Sequence, residues 1–321
     1  MTGFLRGFLK NPRFFCVVCL LCYNVESTED YVMDAFSLLT TTKIDCLDKG
    51  FVQIVDVMPR EIPEGQTCDY AICQAARVSY GDGTKTVNED KGLDRYLMRH
   101  SHTTPNEMIV FKYRIKVPIF IARQMTRHRM ISLNEVSGRY SVMKDDFYIP
   151  RSEEIRAQSK TNKQGSDGAL EKDQAEIYAQ SIEKHCRDSY DIYLKMIESG
   201  VSREQARMVL PLNLYTEFYW KQDLHNLLHF LSLRTDSHAQ YEVQVYANAM
   251  LDLIRPLVPW TIEAWDDYHV MRGAIKLTRL EKEALIEFMQ NKNCQAPDIK
   301  TDNKREQAEW KEKAKKLGFN N

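Results

Sequence analysis

The chain has 321 residues, of which 43% are hydrophobic and 28% charged, with 44 Lys and Arg against 45 Asp and Glu. That length and composition suit a folded domain with a substantial core. The net charge of -1 gives no global reason to expect nucleic-acid binding, so any anionic ligand must be held by cations placed locally. The eight cysteines (Cys16, Cys19, Cys22, Cys46, Cys68, Cys73, Cys186 and Cys294) are spaced neither as a disulfide framework nor as a paired zinc ribbon. They fit a reducing, intracellular compartment, and the cytoplasm is the expected location.

At the amino terminus, Arg6, Lys10 and Arg13 precede an apolar stretch from Phe14 to Val25. The order resembles the basic and hydrophobic parts of a signal peptide, but no small-residue cleavage site follows. The stretch is also short for a bilayer span, so no membrane association is expected. Cys16, Cys19 and Cys22 form a C-x-x-C-x-x-C string inside it, without a second ligand pair, and read as reduced apolar cysteines. Residues 1–49 are taken as an amino-terminal extension, with Met33 as an alternative start.

Phe51 to Met58 alternates as a strand, closed by Pro59 and the turn-rich EIPEGQ. Tyr70 to Ser79 has helical spacing, GDGTK from Gly81 is a loop, and Leu93 to Met98 predicts a short helix. Met108 to Val117 is the clearest strand: Ile109, Phe111, Tyr113, Ile115 and Val117 share one face, with Lys112, Arg114 and Lys116 on the other. Pro118 stands where a helix can begin, and Ile121 and Met125 follow at helical spacing. If residues 118–126 are helical, Gln124 and Arg127 lie three apart on one face.

Residues 152–175 are polar and broken by Gly165 and Gly168, the pattern of a surface insertion. Ile177 to Glu198 and the shorter Arg203 to Val209 read as helices, Leu212 to Trp220 as a strand, and Asp223 to Leu233 and His238 to Ile254 as helices. The charged tail from Asn291 reads as a solvated helix or as disorder. Residues 50–290 are then one domain. Helices and strands mix without a βαβ rhythm and without G-x-G-x-x-G, so the fold class is α+β, with a mixed or antiparallel sheet flanked by helices.

The densest polar stretch runs from Arg123 to Tyr140 and holds Arg123, Arg127, Arg129 and Arg139 with His128, Asn134, Glu135 and Ser137. Arginine forks grip phosphates, and Gln, Asn, Glu and Ser read the edge of a base or a sugar hydroxyl. The competing reading is a solvated basic face that attracts nucleic acid. Glu135 and the apolar Met130, Ile131, Leu133 and Val136 interrupt the cations, so much of the stretch is expected to be buried and its SLNEVSG portion to form a ligand-contacting loop. Ser137 has no recognisable His–Asp pair and is a hydrogen-bonding residue rather than a nucleophile. His225 and His229 are four apart, the spacing of a two-histidine metal site, but HNLLH lacks the glutamate of H-E-x-x-H, so no metal is expected.

The string RHRMISLNEVSGRYS resembles the R-H-R-x7-S signature of flavin-dependent thymidylate synthases, with Arg127, His128, Arg129 and Ser137 in register. The similarity continues through DYAICQAARVSYGDGTK, YLMRHSHTTPNEMIVFKY, PIFIARQ, ARMVLPLNLYTEFYW and LSLRTDSHAQYE, over roughly residues 50 to 275. The resemblance implies an α+β homotetramer with active sites between subunits. Its activity would be reductive methylation of dUMP to dTMP with FAD as cofactor, and with NADPH and 5,10-methylenetetrahydrofolate as co-substrates. It assigns FAD to Ser79, His102, Thr104, Glu107, Arg127, His128, Arg129 and Glu135, and to some of Asp223, His225 and His229. It assigns dUMP to Gln124, Met125, Thr126, Arg127, Glu135, Val136, Ser137, Gly138, Arg139, Arg207 and Arg234. Arg234 is its catalytic residue, favouring ionisation of the uracil at N3, and no cysteine nucleophile is required. Some family members carry asparagines where this chain has Asp223 and His229, which leaves open which of Asp223, His225 and His229 meet FAD.

Overall fold

The computed structural model describes residues 42–78, 87–160, 165–271, 275–291, 298–299 and 304–317. The apolar run with Cys16, Cys19 and Cys22, the alternative start at Met33, and Ser79 with the GDGTK loop lie outside the described residues. The chain divides into two compact units, one ending at Thr261 and the other beginning at Ile262.

The first unit is built on a five-stranded sheet of β1 Lys43–Cys46, β2 Gly50–Met58, β3 Val110–Pro118, β4 Ile131–Glu135 and β7 Tyr215–Asp223, in the order β1-β2-β3-β7-β4. Every pairing is antiparallel. The expected α+β architecture is observed, with the antiparallel alternative. β3 carries the alternation that the sequence predicts: Ile109, Phe111, Tyr113, Ile115 and Val117 are fully buried, while Lys112 and Arg114 face outward. The core lies between this face and the helices Leu224–Arg234 and Tyr241–Ile254, which pack on β7 and β2. Tyr246 anchors the second helix, donating its hydroxyl to the Lys116 carbonyl at 2.9 Å.

Several boundaries shift. The helix expected at Leu93 begins at Val87 and runs to Arg99. β7 starts at Tyr215 rather than Leu212, because Pro211–Leu214 makes a turn before the strand pairs. The helix expected from His238 starts at Tyr241, three residues later, since Asp236–Ala239 close a turn of their own. Polar residues 152–175 do not form one open loop: β5 Arg156–Gln158 and β6 Ser166–Ala169 pair as a short hairpin, and a long helix already begins at Lys172 and reaches Glu198. Arg156 lies over the Tyr241 ring at 4.8 Å, which pins the hairpin to the last helix of the core.

Asp69 ties three segments together. Its carboxylate accepts from Thr67 Oγ1 at 2.9 Å, Trp260 N at 3.0 Å, Thr261 N at 3.1 Å and Thr261 Oγ1 at 2.6 Å. It thereby satisfies free N–H groups in the first turn of the helix Pro259–Trp265. Asp94, on the Val87–Arg99 helix, lies 3.3 and 3.4 Å from the same Thr261 hydroxyl.

In the second unit the helices Arg279–Asn291 and Lys304–Lys316 bring Ala284, Ile299, Trp310 and Ala314 into a small buried cluster. Lys313 donates to both Glu281 oxygens, at 2.9 and 3.0 Å. The charged tail therefore includes an ordered helix, held by one tryptophan and one partly buried ion pair.

Candidate active site

The helix that follows β3, Ile119–Met125, starts immediately after Pro118 and buries Ile121 and Met125. It ends at Met125, so Arg127 is not on its face with Gln124. Residues 126–130 form a turn, and Met130 adopts a left-handed backbone (φ 59°) that swings the chain into β4. The stretch expected to be a ligand-contacting loop is largely strand: Ile131–Glu135 pairs with Gln222–Phe218 of β7. Nor is it as buried as expected, since Met130 is 70% and Val136 47% exposed. The reason is position. β4 is the outer strand of the sheet, and among the described residues no strand lies beyond it.

The turn brings Arg127, His128 and Arg234 together. Arg234 is the last residue of the helix Leu224–Arg234, and its Nε donates to Nε2 of His128 at 3.0 Å. The His128 ring meets the buried Phe230 edge-on, with centroids 4.9 Å apart, and His229 at 6.3 Å. Burial, then the neighbouring Arg234 and His229, push the His128 imidazole down to about 4, so the ring is neutral at physiological pH. Partial burial and the charge of Arg127 also lower the Arg234 pKa. Among the described residues no carboxylate forms an ion pair with Arg127, Arg129 or Arg234. In a chain of net charge -1, such an uncompensated group is stable only beside an anion or water, and it suits a phosphate or a developing oxyanion.

Gln124 is held by an ordered amide chain of its own. The carboxylate of Glu242 can only accept, so Gln240 turns its Nε2 to it at 2.8 Å. The Gln240 oxygen then accepts from Gln124 Nε2 at 2.5 Å. Gln240 was not expected from the sequence as a site residue; it lay inside the helix expected from His238 to Ile254, whereas the structure places it just before that helix.

A second group stands at the far end of β4. Arg139 donates from its backbone to Ser137 Oγ at 3.2 Å and from Nε to Glu204 Oε2 at 3.1 Å. Arg207, where the helix Arg203–Ala206 tightens into the single turn Arg207–Val209, lies against Gly138. Glu135 accepts from the buried Thr216 hydroxyl at 2.5 Å. Glu135 and Val136 also border a cleft of about 500 Å³ with Glu217 and Tyr219 of β7. β4 runs between the two groups, its four residue-to-residue steps of about 3.3 Å spanning roughly 13 Å.

The other expected residues are spread more widely. His102 and Glu107 are exposed beside the turn Thr104–Met108, with Tyr96 edge-on to His102 at 5.8 Å. Asp223 is the N-cap of the helix Leu224–Arg234, its oxygens taken by the backbone and side chain of Asn226. His225 is half-buried and His229 exposed on that helix. Ser79 lies outside the described residues.

Arginines without an acidic partner among the described residues, at the outer strand of an antiparallel sheet and beside polar side chains, suit an anionic small molecule. The chain belongs to the thymidylate synthase complementing protein family, whose model matches residues 64–260. It is 52% identical over 274 residues to the flavin-dependent thymidylate synthase of Dictyostelium discoideum, covering 85% of this chain and 86% of that protein. It is 53% identical over 242 residues to an enzyme of the same description from Thermus thermophilus, covering 75% and 84% respectively. The crystal structure of a UMP/dUMP methylase, PolB from Streptomyces cacaoi, bound with 5-Br dUMP superposes with a TM-score of 0.62 at 31% identity. That match covers 71% of this chain and 99% of PolB.

Proposed function

We propose that this chain is a flavin-dependent thymidylate synthase. It converts dUMP to dTMP, with 5,10-methylenetetrahydrofolate as one-carbon donor and NADPH as reductant. The observation that carries the reading is Arg234, half-buried, fixed by a neutral histidine and free of any acidic partner among the described residues. A guanidinium so placed keeps its charge for a pyrimidine that becomes anionic during reaction.

The donor set fits FAD, because Arg127 and Arg129 offer unpaired forks to a pyrophosphate, and His102, Thr104 and Glu107 supply further polar atoms. FAD held by these residues would supply hydride chemistry, with NADPH as the source of the electrons. The chain's own residues bind and orient the nucleotide: Ser137, Arg139 and Arg207 suit its phosphate, while Gln124 and Arg234 suit its base. None of the buried thiols Cys46, Cys68, Cys73 and Cys186 belongs to either group of site residues, in keeping with a reaction that needs no enzyme nucleophile.

The two groups at opposite ends of β4 support a homotetramer whose sites are shared between chains. Met130, Val136, Tyr140 and Met208, all adjacent in sequence to site residues, are exposed apolar side chains of the kind that subunit contacts cover. Residues 50–290 form the catalytic domain in this reading. The enzyme works in the cytoplasm, and among the described residues no helix is long and apolar enough to cross a membrane. The test is product analysis with dUMP, methylenetetrahydrofolate, NADPH and FAD. Formation of dTMP by a protein that purifies yellow is expected; flavin-loaded protein that leaves dUMP unchanged would refute the assignment.

A further inference from the structure

The contact between neutral His128 and the Arg234 guanidinium has a chemical logic beyond ligand binding. An arginine Nε carries one hydrogen and no available lone pair, so it can only donate. His128 Nε2, 3.0 Å away, must therefore be unprotonated, and the ring proton must sit on Nδ1. The ring cannot easily turn away, because Phe230 is fully buried and meets it edge-on at 4.9 Å.

A carboxylate in the place of His128 would hold Arg234 more tightly, but it would neutralise the guanidinium. It would also occupy the side chain as an ion pair that a ligand must break. The imidazole accepts from Nε alone and adds no negative charge. Among the described residues no group takes up either terminal nitrogen of Arg234, and no acid competes for them.

We infer that His128 is a positioning residue for the reaction: through its unprotonated Nε2 it fixes the direction of Arg234 while leaving that arginine fully charged for the substrate. The inference rests on the reading that Arg234 acts on the uracil. His128 serves this purpose whether or not its ring also borders the flavin.

The experiment is a double-mutant cycle in the flavin-loaded protein, with His128→Leu, His128→Gln and Arg234→Ala. Loss of a directed electrostatic contact typically costs on the order of a hundredfold in kcat, and His128→Leu is expected to show that loss with KM for dUMP changed only a few-fold. His128→Gln, whose Oε1 can accept from Nε, is expected to recover much of the rate. In the Arg234→Ala background, His128→Leu is expected to cost little more. Additive losses, or no recovery with glutamine in a folded, flavin-loaded protein, would overturn the inference.

A second readout needs no turnover. Nitrogen-15 NMR of labelled histidines is expected to show His128 as the Nδ1-protonated tautomer at neutral pH, with a changed signature in Arg234→Gln. An Nε2-protonated ring would overturn the inference. If the wild type keeps the expected tautomer and its dependence on Arg234 but never methylates dUMP, the functional reading fails and the positioning contact stands.

Discussion

Arg207 lays the stem of its side chain across Gly138 so closely that a β-carbon added there would come within 3.2 Å of its Cδ. The same carbon would lie 3.0 Å from Met143 Sδ, so both side chains would have to give by a few tenths of an ångström. Gly138→Ala should displace Arg207 from the phosphate end of the site while leaving the sheet intact. A rise in KM for dUMP of about tenfold, equivalent to roughly 1.4 kcal/mol, is expected. Steady-state kinetics beside thermal melting checks this; an unchanged KM would remove Arg207 from substrate binding.

Gln240 should matter to the site although it lies outside the signature. It accepts from Gln124 at 2.5 Å and is oriented by Glu242. Gln240→Ala frees the Gln124 amide to rotate, at a cost of about 1 kcal/mol, or several-fold in dUMP affinity. Isothermal titration of the flavin-loaded variant with dUMP reads it directly, and wild-type affinity would show that Gln124 is held by other means.

The Asp69–Thr261–Asp94 cluster predicts a pH dependence of stability. The single Thr261 hydroxyl proton is directed to Asp69 at 2.6 Å, so a protonated Asp94 completes the contact with that oxygen. Burial, with the nearby Asp69 charge, raises the Asp94 carboxyl to about 7. The folded chain therefore keeps a proton that the unfolded chain sheds near pH 4. Stability from this group is complete below the unfolded value and is lost as pH climbs through about 7. Asp94→Asn, neutral at every pH, should flatten that decline and be the more stable form above neutrality, by an amount of order a few kcal/mol. Urea midpoints across the range test it, and parallel curves for both proteins would refute it.

The proposal that sites are shared between subunits can be tested by complementation. Arg207→Ala and Arg234→Ala homo-oligomers should each keep only a small, measurable residual activity. If the two residues of one site come from different chains, co-refolding the variants should create some sites that carry both arginines. Activity well above either parent is expected; none would place both arginines of a site on one chain.

The sequence was most legible where the chemistry is local. The alternation of β3 names its buried face directly, and Pro118 marks the start of the next helix. The arginine-rich signature pointed to a phosphate-bearing ligand, and the structure brings Arg127, His128 and Arg234 together. Partners set by pairing at a distance were not legible. Gln124 and Gln240 are 116 residues apart, and Asp69 and Thr261 are 192 apart. That SLNEV forms an edge strand follows from its pairing with β7, not from its composition. Asp223 entered as a possible flavin contact only through the family resemblance, and its local role as a helix cap was not read from the sequence.

The most direct test of the central claim is release of tritium from C5 of labelled dUMP by the purified protein, with FAD, NADPH and methylenetetrahydrofolate supplied together and then omitted one at a time. The account predicts release that requires all three, with dTMP formed in step. No release from folded, flavin-loaded protein with every component present would contradict it.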